Sequence, residues 1–230
     1  MKKNLFSLIA TVLVTGMSFG HDCVKLNTNY VVSNYSFNTD TNNLNEDLKK
    51  FAEVHVSISN KILTLIENEK DLNFDNFPYS KLEASPNEED FKVALANTGM
   101  VNYKEIYDLL LLQNQNAAEF ISKNDVFKSM KQEERNLMIS NAIKTAMIDN
   151  PLKFEPTLET GNTTQARSCY QQYLIDRQDC ADDALLNMGI LAGGCWFGTP
   201  AACAVGAVGV LAIAAVCSKR AKRDLAACVN

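Results

Sequence analysis

CYQQYLIDRQDCADDALLNMGILAGGCWFGTPAACAVGAVGVLAIAAVCSKRAKRDLAAC, residues Cys169–Cys228, holds six of the seven cysteines in a chain of 230 residues. They are Cys169, Cys180, Cys195, Cys203, Cys217 and Cys228, with separations of 11, 15, 8, 14 and 11. On a helix turning about 100° per residue, 11 positions return to within about 20° of the start, and 14 and 15 to within about 40° and 60°. Cys169, Cys180 and Cys195 therefore mark one helical stripe, and Cys203, Cys217 and Cys228 a second. Six cysteines can pair in fifteen ways. Two antiparallel helices of equal rise add a constraint, because facing residues then have a constant index sum. The nested pairs Cys169–Cys228, Cys180–Cys217 and Cys195–Cys203 give sums of 397, 397 and 398. A single register serves all three, and that arrangement is expected.

Local signals agree with a hairpin. Gly193 and Gly194 can end a first helix, and Thr199 and Pro200 suit the N-cap and first position of a second. Ala207, Ala214 and Ala221 line the second cysteine stripe, which lets the backbones approach to bridging distance. Asp176, Asp179, Asp182 and Asp183 fall level with Lys219, Arg220, Lys222 and Arg223, so ion pairs across the hairpin are expected to favour this register. Residues 184–218 contain no charge at all. The folded rod is thus charged at one end and apolar at the other, with Trp196 and Phe197 at its tip. Cys203 to Cys217 spans about 22 Å of helix, most of the roughly 30 Å hydrocarbon core of a bilayer. Such an apolar end either packs against the rest of the chain or meets a membrane. A permanent anchor at Ala201–Cys217 would be short, and it would leave the cysteines unexplained.

The preceding chain has a different character. Leu48, Phe51, Val54, Ile58, Ile62 and Ile66 recur every three or four residues from Leu44 onward, the pattern of an amphipathic helix. Asp71–Pro86 breaks it with Pro78 and Pro86. Asn87-Glu-Glu-Asp opens another helix with acids in its first turn, where the helix dipole favours them. Tyr103–Ser122, around Ile106, Leu109–Leu112 and Phe120, reads as a third helix. Lys131–Ile148, with Leu137, Ile139, Ile143 and Met147, reads as a fourth. Residues 21–164 hold 22 acids and 14 bases, a net charge of −8, whereas residues 165–230 carry six bases and five acids. The fold class expected is all-α: an acidic helical domain over 21–149, with 24–43 irregular or a short strand. A linker follows at 150–168, and then the hairpin at 169–230.

Residues 1–20 carry a charged start (Lys2, Lys3), an apolar run (Leu5–Met17) and a small-x-small site (Ser18-Phe19-Gly20). This is the plan of a bacterial secretory signal peptide. It implies export, to the periplasm, cell surface or medium, where disulfides persist. Cleavage after Gly20 would expose His21 as an amino-terminal copper ligand. The second ligand would have to be His55, which the helical pattern leaves half-exposed, so no metal is expected. Phosphate-cradling, zinc-protease, nucleophile-elbow and paired CxxC motifs are all absent, and no catalytic residue or cofactor is expected. Cys23 is the odd thiol. Asn34 and Asn162 stand in glycosylation sequons, short enough to arise by chance. A net charge of −5 argues against nucleic acid as a partner.

Gly193-Gly-Cys195, Ala201-Ala-Cys-Ala-Val-Gly206 and Ala226-Ala-Cys228, together with the layout of signal, long N-terminal portion and Cys/Gly/Ala-rich end, resemble halocin-like cysteine-rich bacteriocin precursors. The resemblance covers Cys169–Asn230 and implies a C-terminal peptide released as a toxin. The expectation is an exported, membrane-active protein. Its hairpin would meet membrane lipid through residues 184–218, and its N-terminal domain would mask that stretch. The competing expectation is a secreted structural or binding protein whose hairpin packs on the helical domain.

Overall fold

The computed structural model describes residues 40–69, 71–85, 87–152, 164–194 and 200–229. These form eight helices: α1 (Asp40–Glu67), α2 (Tyr79–Ala84), α3 (Glu88–Asn97), α4 (Tyr103–Lys123), α5 (Asp125–Ser129), α6 (Gln132–Asp149), α7 (Thr164–Gly194) and α8 (Pro200–Val229). No strand occurs among the described residues, and the fold is all-α. The helices of Thr39–Asn230 belong to one compact unit. Helix α1 begins four residues before Leu44, so residues 40–43, expected to be irregular or a short strand, are helical. Helix α7 likewise starts inside the expected linker, at Thr164.

Helices α7 and α8 are antiparallel, and they are tied by Cys169–Cys228 and Cys180–Cys217, each with Cα atoms 5.9 Å apart. Ala207, Ala214 and Ala221 are all buried. Cys203 is disulfide-bonded as well; its expected partner Cys195 lies outside the described residues, as do Trp196 and Phe197. By loop-closure entropy, the inner bridge over 37 residues contributes about 4 kcal/mol. Once it is closed, the outer bridge constrains only the chain beyond it, and adds about 3 kcal/mol. Bonds of this kind persist in an oxidising compartment.

Much of the described uncharged part of the hairpin lies in the core. Ala184, Leu185, Met188, Val205, Val208 and Leu211 join one apolar cluster with Ile62 and Ile66 of α1, Leu95 of α3, and Ile106 and Leu110 of α4. A second cluster joins Phe51 and Val56 of α1, Phe120 of α4, Phe127 of α5, Ile139 and Ile143 of α6, and Ala192 of α7. The charged end is different: Cys169, Tyr173, Ala221 and Leu225 form a small cluster from hairpin residues alone. Two residues expected in apolar stripes face water instead, Val54 at 43% exposed and Leu137 at 52%. On α1 the buried face runs Leu48, Phe51, His55, Ile58, Ile62, which puts His55 in the place assigned to Val54.

Short connections are fastened by polar groups. Asn87 Oδ1 accepts the Glu89 and Asp90 backbone N–H groups and caps α3, as its sequence pattern indicated. Glu69 Oε1 accepts the N–H groups of Val101 and Asn102 at the start of α4, where an anion is favoured by the helix dipole.

Close approach of α7 depends on two glycines. A Cβ at Gly189 would fall 1.9 Å from Ile143 Cδ1, and one at Gly193 would fall 2.0 Å from Ile139 Cδ1. Both pairs are four residues apart on their helices, so the isoleucines of α6 seat as ridges against bare backbone on α7. Gly189→Ala is expected to lower unfolding stability by about 1–3 kcal/mol through overpacking. Adding Ile143→Val removes the offending Cδ1. The double variant in urea unfolding should then be more stable than the sum of the two single losses; simple additivity would refute the ridge-and-gap account.

Candidate functional site

The candidate site is the joint by which the helical domain holds the hairpin, and its two ends are built differently. At the charged end α1 terminates in Glu67, an acid at the helix end where the dipole disfavours it. Cations from both hairpin helices offset this. Arg177 Nη2 of α7 lies 2.5 Å from Glu67 Oε2, and Lys222 Nζ of α8 lies 2.6 Å from Oε1. Ser218 Oγ donates to Glu67 Oε2 at 3.1 Å, and Lys219 Nζ donates to the Leu72 carbonyl at 2.8 Å. Arg177 is only 4% exposed. Its Nη1 donates to the Tyr173 hydroxyl, and its guanidinium lies over the Tyr173 ring. One carboxylate of the domain thus neutralises a cation from each arm.

This arrangement corrects the expected pairing across the hairpin. Arg220 and Arg223 meet Asp224 on their own helix, and Lys222 meets Glu67. Asp176 and Asp182 accept from Gln172 and Gln178, also on their own helix. Partial desolvation against the neighbouring helices pushes the Asp182 and Asp183 carboxyls above the ordinary range, helped by the nearby Asp179 charge. Register is set by the disulfides, and Arg177, Lys219 and Lys222 are used for docking.

At the apolar end the joint turns on His55, which is fully buried rather than half-exposed. Its Nε2 lies 3.3 Å from the Leu185 carbonyl of α7 and 3.3 Å from Ser59 Oγ. Gln113 Nε2 of α4 donates to Ser59 Oγ at 2.5 Å. A carbonyl only accepts, so Nε2 carries the ring proton. The bare Nδ1 has no hydrogen-bond partner among the described residues. Burial lowers the imidazole from its ordinary 6.5 to about 4, against a smaller opposing effect of the Leu185 carbonyl. Three helices are therefore stitched through one buried polar cluster.

Ser59 and His55 are the residue types of a nucleophile and its base. Both are sealed from solvent, and neither lines any of the principal cavities. The cavity beside Glu67, Arg177 and Lys222 holds about 40 Å³, room for a few waters and little else. Larger grooves of about 290–360 Å³ between the outer helices bring no converging set of reactive groups with them. No cluster of three His, Cys, Asp or Glu residues that could hold a metal occurs among the described residues. His21 and Cys23 lie outside those residues, as do both sequon asparagines.

Helix α8 has the length and apolar composition of a membrane-crossing segment over Cys203–Val229, and half of its most apolar window is buried inside this fold. Ile213 and Val216 remain on the outside, at 60% and 65% exposed. The geometry defines a helical protein organised around a disulfide-tied hairpin. No protein-family model matches the chain, and neither a curated protein nor a solved structure matches it.

Glu67, Arg177, Ser59 and Gln113 were not singled out in the sequence, and His55 was considered there only as a copper ligand. Two signals were present: a histidine in step with an apolar stripe, and Arg177 as the one base between Arg167 and Lys219. Glu67→Ala is expected to cost about 2–4 kcal/mol, because it removes the carboxylate that faces the buried Arg177 charge. Lys222→Ala removes a half-exposed partner and should cost about 1 kcal/mol or less. Equal losses in paired urea titrations would show that Arg177 is not the residue that depends on Glu67.

Proposed function

We propose that this is an exported protein whose disulfide-tied hairpin is a membrane-active element kept sheathed by its own N-terminal helices. The observation that carries this reading is the uncharged stretch 184–218, held in a stapled hairpin, with a helix of membrane-crossing length half of whose most apolar window is buried within the fold. In the sheathed form the apolar residues Val205, Val208 and Leu211 are spent on the core. Lipid can replace that cover, since a bilayer interior solvates the same side chains. The stretch keeps no charge that would oppose transfer, and the bases Lys219–Arg223 sit where an anionic headgroup layer would attract them. Helical hydrogen bonds are satisfied internally, as a segment entering lipid requires.

A second reading has its own support. The hairpin contributes to both large apolar clusters of the domain, as expected of a secreted structural or binding module in which it is simply the central helix pair. Dye release separates the two. The oxidised chain, carrying an engineered protease site within 153–163, is added to vesicles of phosphatidylethanolamine and phosphatidylglycerol before and after cleavage. The sheathed-effector reading expects at least fivefold more release after cleavage, with the 164–230 piece recovered on the vesicles. Absence of release, with both pieces eluting together, would establish the packed module instead.

A further inference from the structure

Separation of the hairpin from its sheath requires the seam between α1 and α7 to open, and one titratable group sits inside that seam. We propose that His55 is a proton-operated latch: a neutral imidazole holds α7 against α1, and a second ring proton opens the seam, so that mildly acidic medium frees the hairpin. The role assigned to the freed hairpin rests on the sheathed-effector reading; the latch itself does not.

The geometry allows the neutral ring and opposes the charged one. Nε2–H is committed to the Leu185 carbonyl and Ser59 Oγ, so an incoming proton has only Nδ1 to bind. That atom is buried and has no acceptor among the described residues. On the Nε2 side of the ring the packing is close: a Cβ added at Gly189 of α7 would stand 3.3 Å from Nε2. The ring also stacks against Phe51, with centroids 5.8 Å apart. Charging the ring therefore demands solvent, and solvent enters only if α7 moves away.

No neighbouring charge answers the imidazolium. On α1 itself Glu53 is exposed and pairs with Lys49, and Lys61 is exposed. On α4 Asp108 and Glu119 are exposed, and Glu119 is taken by Lys123. On α6 Lys144 and Asp149 are exposed. On α7 Asp182 accepts from Gln178, and Asp183 is surface-exposed. On α8 every charge lies beyond Cys217, around Glu67, twelve residues along α1 from His55 and so about 18 Å away. The imidazole responds to burial and to the Leu185 carbonyl, and to no carboxylate.

The direction follows. The open chain has the ordinary value of 6.5 and the closed chain about 4, so the open form binds the proton more tightly. Closure is at full strength above pH 6.5, weakens as the pH falls from 6.5 toward 4, and weakens no further below that. The gap amounts to about 300-fold in the opening equilibrium, of which about 30-fold is reached at pH 5. Asp182 and Asp183, whose values are raised in the closed form, act in the opposite sense.

Amide hydrogen exchange on the full oxidised chain tests the latch. After correction for intrinsic rates, amides of residues 184–193 should open about 20-fold more often at pH 5 than at pH 7. His55→Gln, which keeps a donor for the Leu185 carbonyl but does not titrate, should reduce that change to threefold or less. Should this variant fail to fold, the wild-type ring signal decides: the chain holds only two histidines, and His21→Ala assigns the resonance. A His55 ring titrating near 6.5, or unchanged α7 protection between the two pH values, would overturn the latch. Opening at pH 5 without dye release keeps the latch and removes the membrane reading. Release by the cleaved chain at pH 7, without any acid-dependent opening, does the reverse.

Discussion

The apolar half of the disulfide-tied hairpin must be covered, and the placement of the other helices follows from that requirement. Two antiparallel helices with no charge over 35 positions cannot hide their faces in each other alone. Covalent staples hold the pair in register but remove little of that surface from water. Helices α1, α4 and α6 supply the cover through the two apolar clusters, and α3 with its Asn87 cap closes one side. The division of labour is physical. Bonds between sulfurs define which residues of α7 and α8 face each other; packing and two polar contacts define where that pair sits in the domain.

Those two contacts differ in kind. Glu67 holds the charged end through ion pairs partly open to water, which are tolerant of small shifts and sensitive to salt. His55 holds the apolar end through a buried hydrogen-bonded cluster, where geometry is exacting and any extra charge is costly. A domain that grips a helix pair in these two ways is firm under neutral conditions and has its weak point at one ring. The sheathed reading and the latch meet there, although each stands on separate observations.

Much of the hairpin was legible in the sequence because its constraints are local and arithmetical: a helical repeat, a constant index sum, glycines and a proline at the turn. Helices α1, α3, α4 and α6 were legible from their apolar spacing and from the acids after Asn87. The joint was not. His55 meets Leu185 across 130 positions and Glu67 meets Arg177 across 110, and periodicity within one helix says nothing about such partners. Val54 and Leu137 illustrate the same limit: a three-or-four spacing admits two neighbouring faces, and only the tertiary neighbours choose between them. The bases of α8 were assigned to the nearest acids in the hairpin, whereas a buried Arg177 and the end of α1 made Glu67 the better partner for Lys222.

The outer bridge gives the hairpin the topology of a closed ring. Cys169 and Cys228 lie at its two ends, so the covalent path leaves along one helix, returns along the other, and is sealed by sulfur. A cut anywhere between residues 152 and 164 detaches this ring whole, and a single cut inside it still leaves both arms joined by the inner and outer bridges. The segment therefore resists being trimmed from either end, and it retains its pairing after the chain that folded around it has gone.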